Sequence, residues 1–182
     1  VRKKLLFGLD SIGEIGPEVV ELAGKGHKVL LVTDKGVRGA GIVDKALANL
    51  KEVEVEVFDG VEAEPSMECA EKAAGIARDG GFRAVVGVGG GSSLDIAKVA
   101  SIMTSNPGKV ADYLGRGKVK QYGLPMALVP TTAGTGSEVT FTAVLSRKDL
   151  KKKEGMNSPH LYPELALLDP ELHAGARARL PV

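Results

Sequence analysis

Short apolar runs alternate along the chain with stretches in which apolar residues recur every three or four positions. Lys4 to Gly8 reads as a short strand, and Pro17 to Ala23 as a helix with proline near its start. Lys28-Val29-Leu30-Leu31-Val32-Thr33-Asp34 is an unbroken aliphatic run, the mark of a strand covered on both faces. Val43 to Leu50 has helical spacing. Val53 to Val57 alternates strictly with glutamate and predicts a strand with one wet face. Ser66 to Arg78 predicts an amphipathic helix capped by Ser66. Ala84 to Val88 reads as a buried strand, followed by a glycine turn and a helix to about Met103. Asn106-Pro107-Gly108 is a turn, Val110 to Leu114 a short helix, and Pro125 to Pro130 another buried strand. Thr140 to Ser146 fits one arm of a hairpin before a charged, solvated turn at Arg147–Lys153. Leu165 to Leu168 is a last strand ending at Asp169-Pro170. This order predicts an α/β protein: a doubly wound, mostly parallel sheet with helices on both faces and a small β-hairpin insertion.

Composition narrows the classes. A chain of 182 residues suits one domain, spanning 1–182. With 24 basic and 23 acidic residues, net +1, nothing points to nucleic acid or a membrane surface. The absence of tryptophan and a total of seven Phe and Tyr argue against a stacked nucleic-acid platform. The 24 glycines are nearly twice the usual share of about 7% and fall between apolar segments, as turns of an α/β protein would. One cysteine, Cys69, excludes an internal disulfide and a thiolate zinc cluster. No apolar run has the length of a membrane span. The start Val1-Arg2-Lys3-Lys4 meets Asp10 and Glu14 too soon for a signal peptide, so the cytoplasm is the expected location. Neither Val1 nor Leu180-Pro181-Val182 reads as a natural end, which suggests a piece of something longer.

The candidate chemistry gathers at strand ends. Gly89-Gly90-Gly91-Ser92 passes from strand to helix, where unpaired N–H groups and the helix dipole favour an anion. The spacing is neither GxGxxG nor that of a P-loop. A tight turn with a serine cap is the alternative. In a parallel sheet, ligands sit at the carboxyl ends of strands, here Asp34, Gly89–Ser92, Thr131–Glu138 and Asp169. Asp34 suits ribose hydroxyls, or equally a turn before Lys35-Gly36. Thr131, Thr132, Thr135 and Ser137 offer hydroxyls for ribose and phosphate, or form a glycine-rich bulge. Asp95 lies in the first helical turn, where it compensates the dipole or serves a catalytic cleft.

Gly89-Gly90-Gly91-Ser92-x-x-Asp95-x-Ala97-Lys98, followed by Pro130-Thr131-Thr132-Ala133-Gly134-Thr135-Gly136-Ser137-Glu138-Val139-Thr140, closely resembles the iron-dependent (group III) alcohol dehydrogenase family. Further matches are Val32-Thr33-Asp34-Lys35-Gly36, Phe58-Asp59-Gly60-Val61, Gly123-Leu124-Pro125 and Leu168-Asp169-Pro170-Glu171-Leu172. Glycerol dehydrogenases and dehydroquinate synthases share the glycine turn but less of the threonine segment. The resemblance implies a Rossmann-like cofactor domain with the pyrophosphate on Gly89, Gly90, Gly91 and Ser92. It places Thr131 and Thr132 on the adenosine side, Thr135 and Ser137 along the same groove, and Asp95, the implied catalytic residue, near nicotinamide and substrate. Lys153 and Leu172 are implied to reach the cofactor. Asp34 would meet the adenosine ribose and favour NAD over NADP, an expectation that neighbouring Lys35 weakens. Where the family has Glu-Pro-Asn-Pro, this chain reads Glu62-Ala63-Glu64-Pro65.

The resemblance also implies a divalent metal, iron(II) or zinc, held by one Asp and three His in a helical second half. This chain has His27, His160 and His173. Asp169-Pro170-Glu171-Leu172-His173 has Asp-x-x-x-His spacing, but it coincides with a segment preceding the true ligand motif, and Asp169-Pro170 suits a helix cap. His27 and His160 read as solvated. No metal ligands are expected here, and the chain reads as stopping before the metal site. The expectation is therefore the NAD(P)-binding half of a metal-dependent alcohol dehydrogenase acting on an alcohol or aldehyde, inactive alone and a homo-oligomer (dimer) when full-length. The alternatives are a stand-alone nucleotide-binding module or a glycerol-dehydrogenase- or dehydroquinate-synthase-like relative.

Overall fold

The computed structural model describes residues 3–173; Val1, Arg2 and the segment 174–182, including Leu180-Pro181-Val182, lie outside the described residues. In chain order the elements are β1 (Lys4–Phe7), α1 (Ile15–Ala23), β2 (Lys28–Val32), α2 (Lys35–Gly39), α3 (Ile42–Asn49) and β3 (Glu54–Phe58). Then come α4 (Met67–Asp79), β4 (Ala84–Gly89), α5 (Gly91–Ile102), β5 (Gly115–Arg116), β6 (Met126–Pro130), β7 (Thr142–Arg147), β8 (Lys152–Asn157) and β9 (Leu165–Leu168).

Six strands form one parallel sheet in the order β1-β9-β6-β4-β2-β3. The winding reverses between β2 and β4, so a crevice opens beyond their carboxyl ends. All six residues of β4 and all five of β6 are buried, which explains their unbroken apolar sequence. Alternate strand residues feed two separate clusters. Leu30, Val32 and Val85 pack under α4, α5 and the hairpin. Val29, Leu31, Val86 and Val88 pack under α1 and α3. At the β3 edge only alternate residues are half-buried, as the Val–Glu alternation requires.

The hairpin insertion is β7 paired antiparallel with β8, extended by β5 into a three-stranded sheet. Ala143, Leu145 and Met156 turn inward against α5. The charged run expected to be all turn is shorter than that. Lys152 and Lys153 pair with Arg147 and Ser146, so only Lys148–Lys151 turns the chain. Ser66 caps α4 as expected, accepting from the Cys69 N–H at 3.2 Å. The run through Asp34 ends earlier than its pattern suggests, because Asp34 leaves the strand to cap α2.

Candidate functional site

Gly89 ends β4 at φ 149°, and a Cβ there would fall 2.7 Å from the Ser93 side chain. Gly90 is the residue before α5; having no side chain, it leaves the first helical N–H groups uncapped. The serine-cap alternative is not what forms. The Ser92 hydroxyl donates instead to the Ala63 carbonyl at 2.6 Å, tying the helix start to the 62–65 loop. A Cβ on Gly91 would lie 2.9 Å from Cγ2 of Thr135, so the threonine segment closes directly over the turn. The sequence thus makes a bare, positively polarised helix start at the floor of the crevice.

Two grooves meet there. The larger, about 960 Å³, is lined by Asp34, Gly36, Asp59, Gly90, Thr131, Thr132 and Leu172 among others. Asp34 lines this groove, and in place of the turn expected before Lys35-Gly36 it caps the short helix α2. Its Oδ1 accepts from the Val37 N–H at 2.9 Å and its Oδ2 from the Ser93 hydroxyl at 3.0 Å. Each oxygen keeps the capacity to accept a further bond. Thr131 is buried, with its N–H bonded to the Gly89 carbonyl, whereas Thr132 and Thr135 are exposed. The stretch does not form a strand bulge. It is a loop entering a 3-10 turn at Ser137–Val139, with Gly136 left-handed at φ 62°.

The smaller groove, about 430 Å³, is lined by Gly91, Ser92, Asp95, Thr135, Ser137 and Lys153 among others. It shares Ala63, Gly91 and Ser92 with the larger one. The Asp95 side chain is 13% exposed. Its Oδ1 accepts from the Ser137 hydroxyl at 2.6 Å and its Oδ2 from the Val144 N–H at 2.9 Å. Burial raises the Asp95 pKa, opposed by those two bonds and by Lys98, whose ammonium stands 3.9 Å away. Burial in turn lowers the Lys98 pKa from 10.5 to about 8, opposed by Asp95 and Glu138. Lys153 faces the groove from the hairpin, paired with Glu64 at 3.0 Å. The carboxylate of Glu64 in the 62–65 loop is therefore matched by a lysine.

Sequence reasoning assigned Lys98 no role, yet it is wholly buried beside Asp95. Its signal was available: a lysine three residues after an aspartate, flanked by Ile96-Ala97 and Val99-Ala100.

Asp169 lies apart from these grooves' chemistry. It is fully buried, with Oδ1 accepting from the Glu171 N–H at 3.0 Å and Oδ2 from the Ile12 N–H at 3.1 Å. That is the capping role foreseen for Asp169-Pro170. Among the described residues the one assembly of metal-ligand type is Asp10, Asp169 and Glu171, and no histidine joins it. His27 is exposed as expected. His160 is not solvated: it is half-buried, with Nδ1 3.0 Å from the Ser158 hydroxyl and its ring edge-on to Tyr122 at 4.2 Å. The Pro159–Leu161 turn folds it against its neighbours, which no local pattern announces.

The family model for iron-containing alcohol dehydrogenase matches residues 2–170. Long-chain-alcohol dehydrogenase 1 of Geobacillus thermodenitrificans (strain NG80-2) is 39% identical over 178 residues, which cover 95% of this chain and 44% of that protein. A solved 1,3-propanediol oxidoreductase superposes with a TM-score of 0.86 at 37% identity, covering 94% of this chain and 45% of its own. A sulfoacetaldehyde reductase from Bifidobacterium kashiwanohense, solved in complex with NAD+, superposes with a TM-score of 0.83 at 33% identity, covering 94% and 45%. The chain thus spans less than half the length of these relatives.

Proposed function

The chain belongs to the iron-containing alcohol dehydrogenase family, and on that premise we propose that it is the dinucleotide-binding half of an NAD-linked alcohol dehydrogenase. The observation that carries this reading is the pair of grooves meeting at the uncapped start of α5. A dinucleotide has that form: two nucleosides joined by a pyrophosphate. Gly89, Gly90, Gly91 and Ser92 hold the pyrophosphate on backbone N–H groups. Asp34, Thr131, Thr132 and Leu172 receive the adenosine. Asp95, Thr135, Ser137 and Lys153 line the nicotinamide side. When bound, the nicotinamide supplies hydride chemistry. The chain's own residues bind it, orient it and place the Asp95 carboxylate beside it. The Asp34 carboxylate repels a 2′-phosphate, so NAD is preferred to NADP.

The metal does not fit the described residues. Asp169 spends both oxygens on backbone N–H groups, and Asp10 and Glu171 are exposed. No step through iron or zinc is therefore assigned to them. Within this reading the chain binds cofactor but does not by itself oxidise an alcohol or reduce an aldehyde. A homo-oligomer is supported by Leu5, Phe7 and Leu9, which are 60%, 74% and 73% exposed on and beside the edge strand β1. No described helix is long and apolar enough to cross a membrane, and a cytoplasmic location remains the proposal.

Fluorescence titration of the chain with NADH and NADPH tests the reading. Saturable NADH binding is expected, with NADPH weaker. Absence of NADH binding by the folded chain overturns it.

A further inference from the structure

Lys98 is a large, wholly buried side chain, and the cofactor reading does not use it. It stands on α5 and faces the turn and strand that roof the smaller groove. An ammonium has three N–H groups and no acceptor. Here three acceptors meet it: Ser137 Oγ at 3.1 Å, Thr140 Oγ1 at 3.2 Å and the Thr142 carbonyl at 2.9 Å. The match is stoichiometric for the charged form. A neutral amine has two N–H groups and a lone pair. One of the two hydroxyls must then turn its hydrogen to the nitrogen and give up the acceptor it now serves, Asp95 for Ser137 or the Ser137 carbonyl for Thr140.

Hydrogen-bond direction follows from that charge. Ser137 Oγ accepts from Lys98, so its own hydrogen goes to Asp95 Oδ1 at 2.6 Å. The bond to Thr142 fixes β7 two residues before Val144, whose N–H serves Asp95 Oδ2 at 2.9 Å. One oxygen of Asp95 is therefore held by a hydroxyl that Lys98 bonds, and the other by an N–H on the strand whose Thr142 carbonyl Lys98 bonds.

The geometry points to Lys98 as the positioning residue of this groove: its ammonium orders the Ser137 hydroxyl and the β7 backbone, and through them aims the Asp95 carboxylate. Assigning the groove to nicotinamide rests on the function proposed above; the clamp does not. The site answers to pH, because burial brings the lysine to about 8. The charges acting on it are Asp95 on its own helix and Glu138 from the turn after β6. Strand β7 contributes the Thr142 carbonyl, and the turn Pro159–Leu161 carries His160, whose ring is taken by Ser158 and Tyr122. Below that pH the clamp is charged and donates all three bonds; above it the charge is gone and one hydroxyl reverses its bond to the nitrogen.

The test follows the Val144 amide by NMR in ¹⁵N-labelled chain as pH passes through about 8, with NADH affinity measured in parallel. The expected result is a Val144 step with that midpoint in the wild type and no step in Lys98→Met. NADH should bind Lys98→Met roughly tenfold more weakly, the scale of one charged hydrogen bond. A pH-independent Val144 amide in the wild type overturns the assignment, and so does a Lys98→Met protein with wild-type Val144 shift and NADH affinity. The wild-type titration decides even if the variant does not fold. If the wild type fails to bind NADH, the cofactor reading falls while the Val144 step still decides the clamp.

Discussion

The hydroxyl of Ser93 donates to Oδ2 of Asp34 at 3.0 Å, joining the first turn of α5 to the residue that caps α2. One carboxylate thus braces the two sides of the crevice while facing its ligand space. Asp34→Ala removes the cap of α2 and strands the Ser93 hydroxyl. Urea unfolding should show a loss of about 1–2 kcal/mol. In the same variant the ratio of NADH to NADPH affinity should fall. An unchanged ratio removes Asp34 from cofactor selection.

Gly91→Ala places a methyl where Thr135 already stands, 2.9 Å from Cγ2. Overpacking of this kind costs about 1–3 kcal/mol. On the proposed cofactor reading the methyl also enters the phosphate approach, so NADH affinity should drop more than stability does. A Gly91→Ala/Thr135→Ser double variant should recover stability but not affinity; isothermal titration beside thermal melting separates the two.

Global stability should respond to alkaline pH in a direction set by Lys98. Its folded pKa, about 8, lies below its ordinary 10.5. Between these values the unfolded chain binds more protons, so stability rises with pH. From pH 7.5 to 9.5 the lysine alone should contribute a gain of about 2 kcal/mol. Urea unfolding of wild type and Lys98→Met at both pH values isolates it: the gain should vanish in the variant. The same pH rise loosens the clamp on Asp95, so fold and site respond in opposite senses.

Glu64→Gln breaks the pair with Lys153. Both side chains are more than half exposed, so the melting point should barely move. The freed ammonium then faces the smaller groove, and NADH should bind more tightly at low salt. Equal affinity at low and high salt in both proteins would detach Lys153 from the cofactor.

Phe7→Lys puts a charge on the exposed edge of the large sheet. If β1 mediates self-association, sedimentation should shift toward monomer with the melting point little changed. An unaltered sedimentation profile places association elsewhere.

The parts legible in the sequence are those fixed by local pattern. β2, β4 and β6 are aliphatic because both faces of the sheet are covered, and β3 alternates because it lies at an edge. The illegible parts depend on distant partners. α2 is Lys-Gly-Val-Arg-Gly, weak helix material whose one local cue is Asp34 as its cap. β8 begins Lys-Lys-Glu-Gly and becomes a strand because β7 offers it a ladder. The apolar neighbours of Lys98 were visible, but its partners were not, since they lie about forty residues further on. In the site, the glycine turn and threonine segment were readable as types, but the tie from Ser92 to Ala63 was not.

Leu30 and Leu31 are neighbours in the chain, yet they enter different hydrophobic clusters on opposite sides of the sheet. The cost of shortening Leu30 should therefore fall on the side of α4 and α5, and that of shortening Leu31 on the side of α1 and α3. The sheet is thus a partition: the packing that sets the α5 floor of the crevice is supplied from one of its faces, and α1 and α3 are seated on the other.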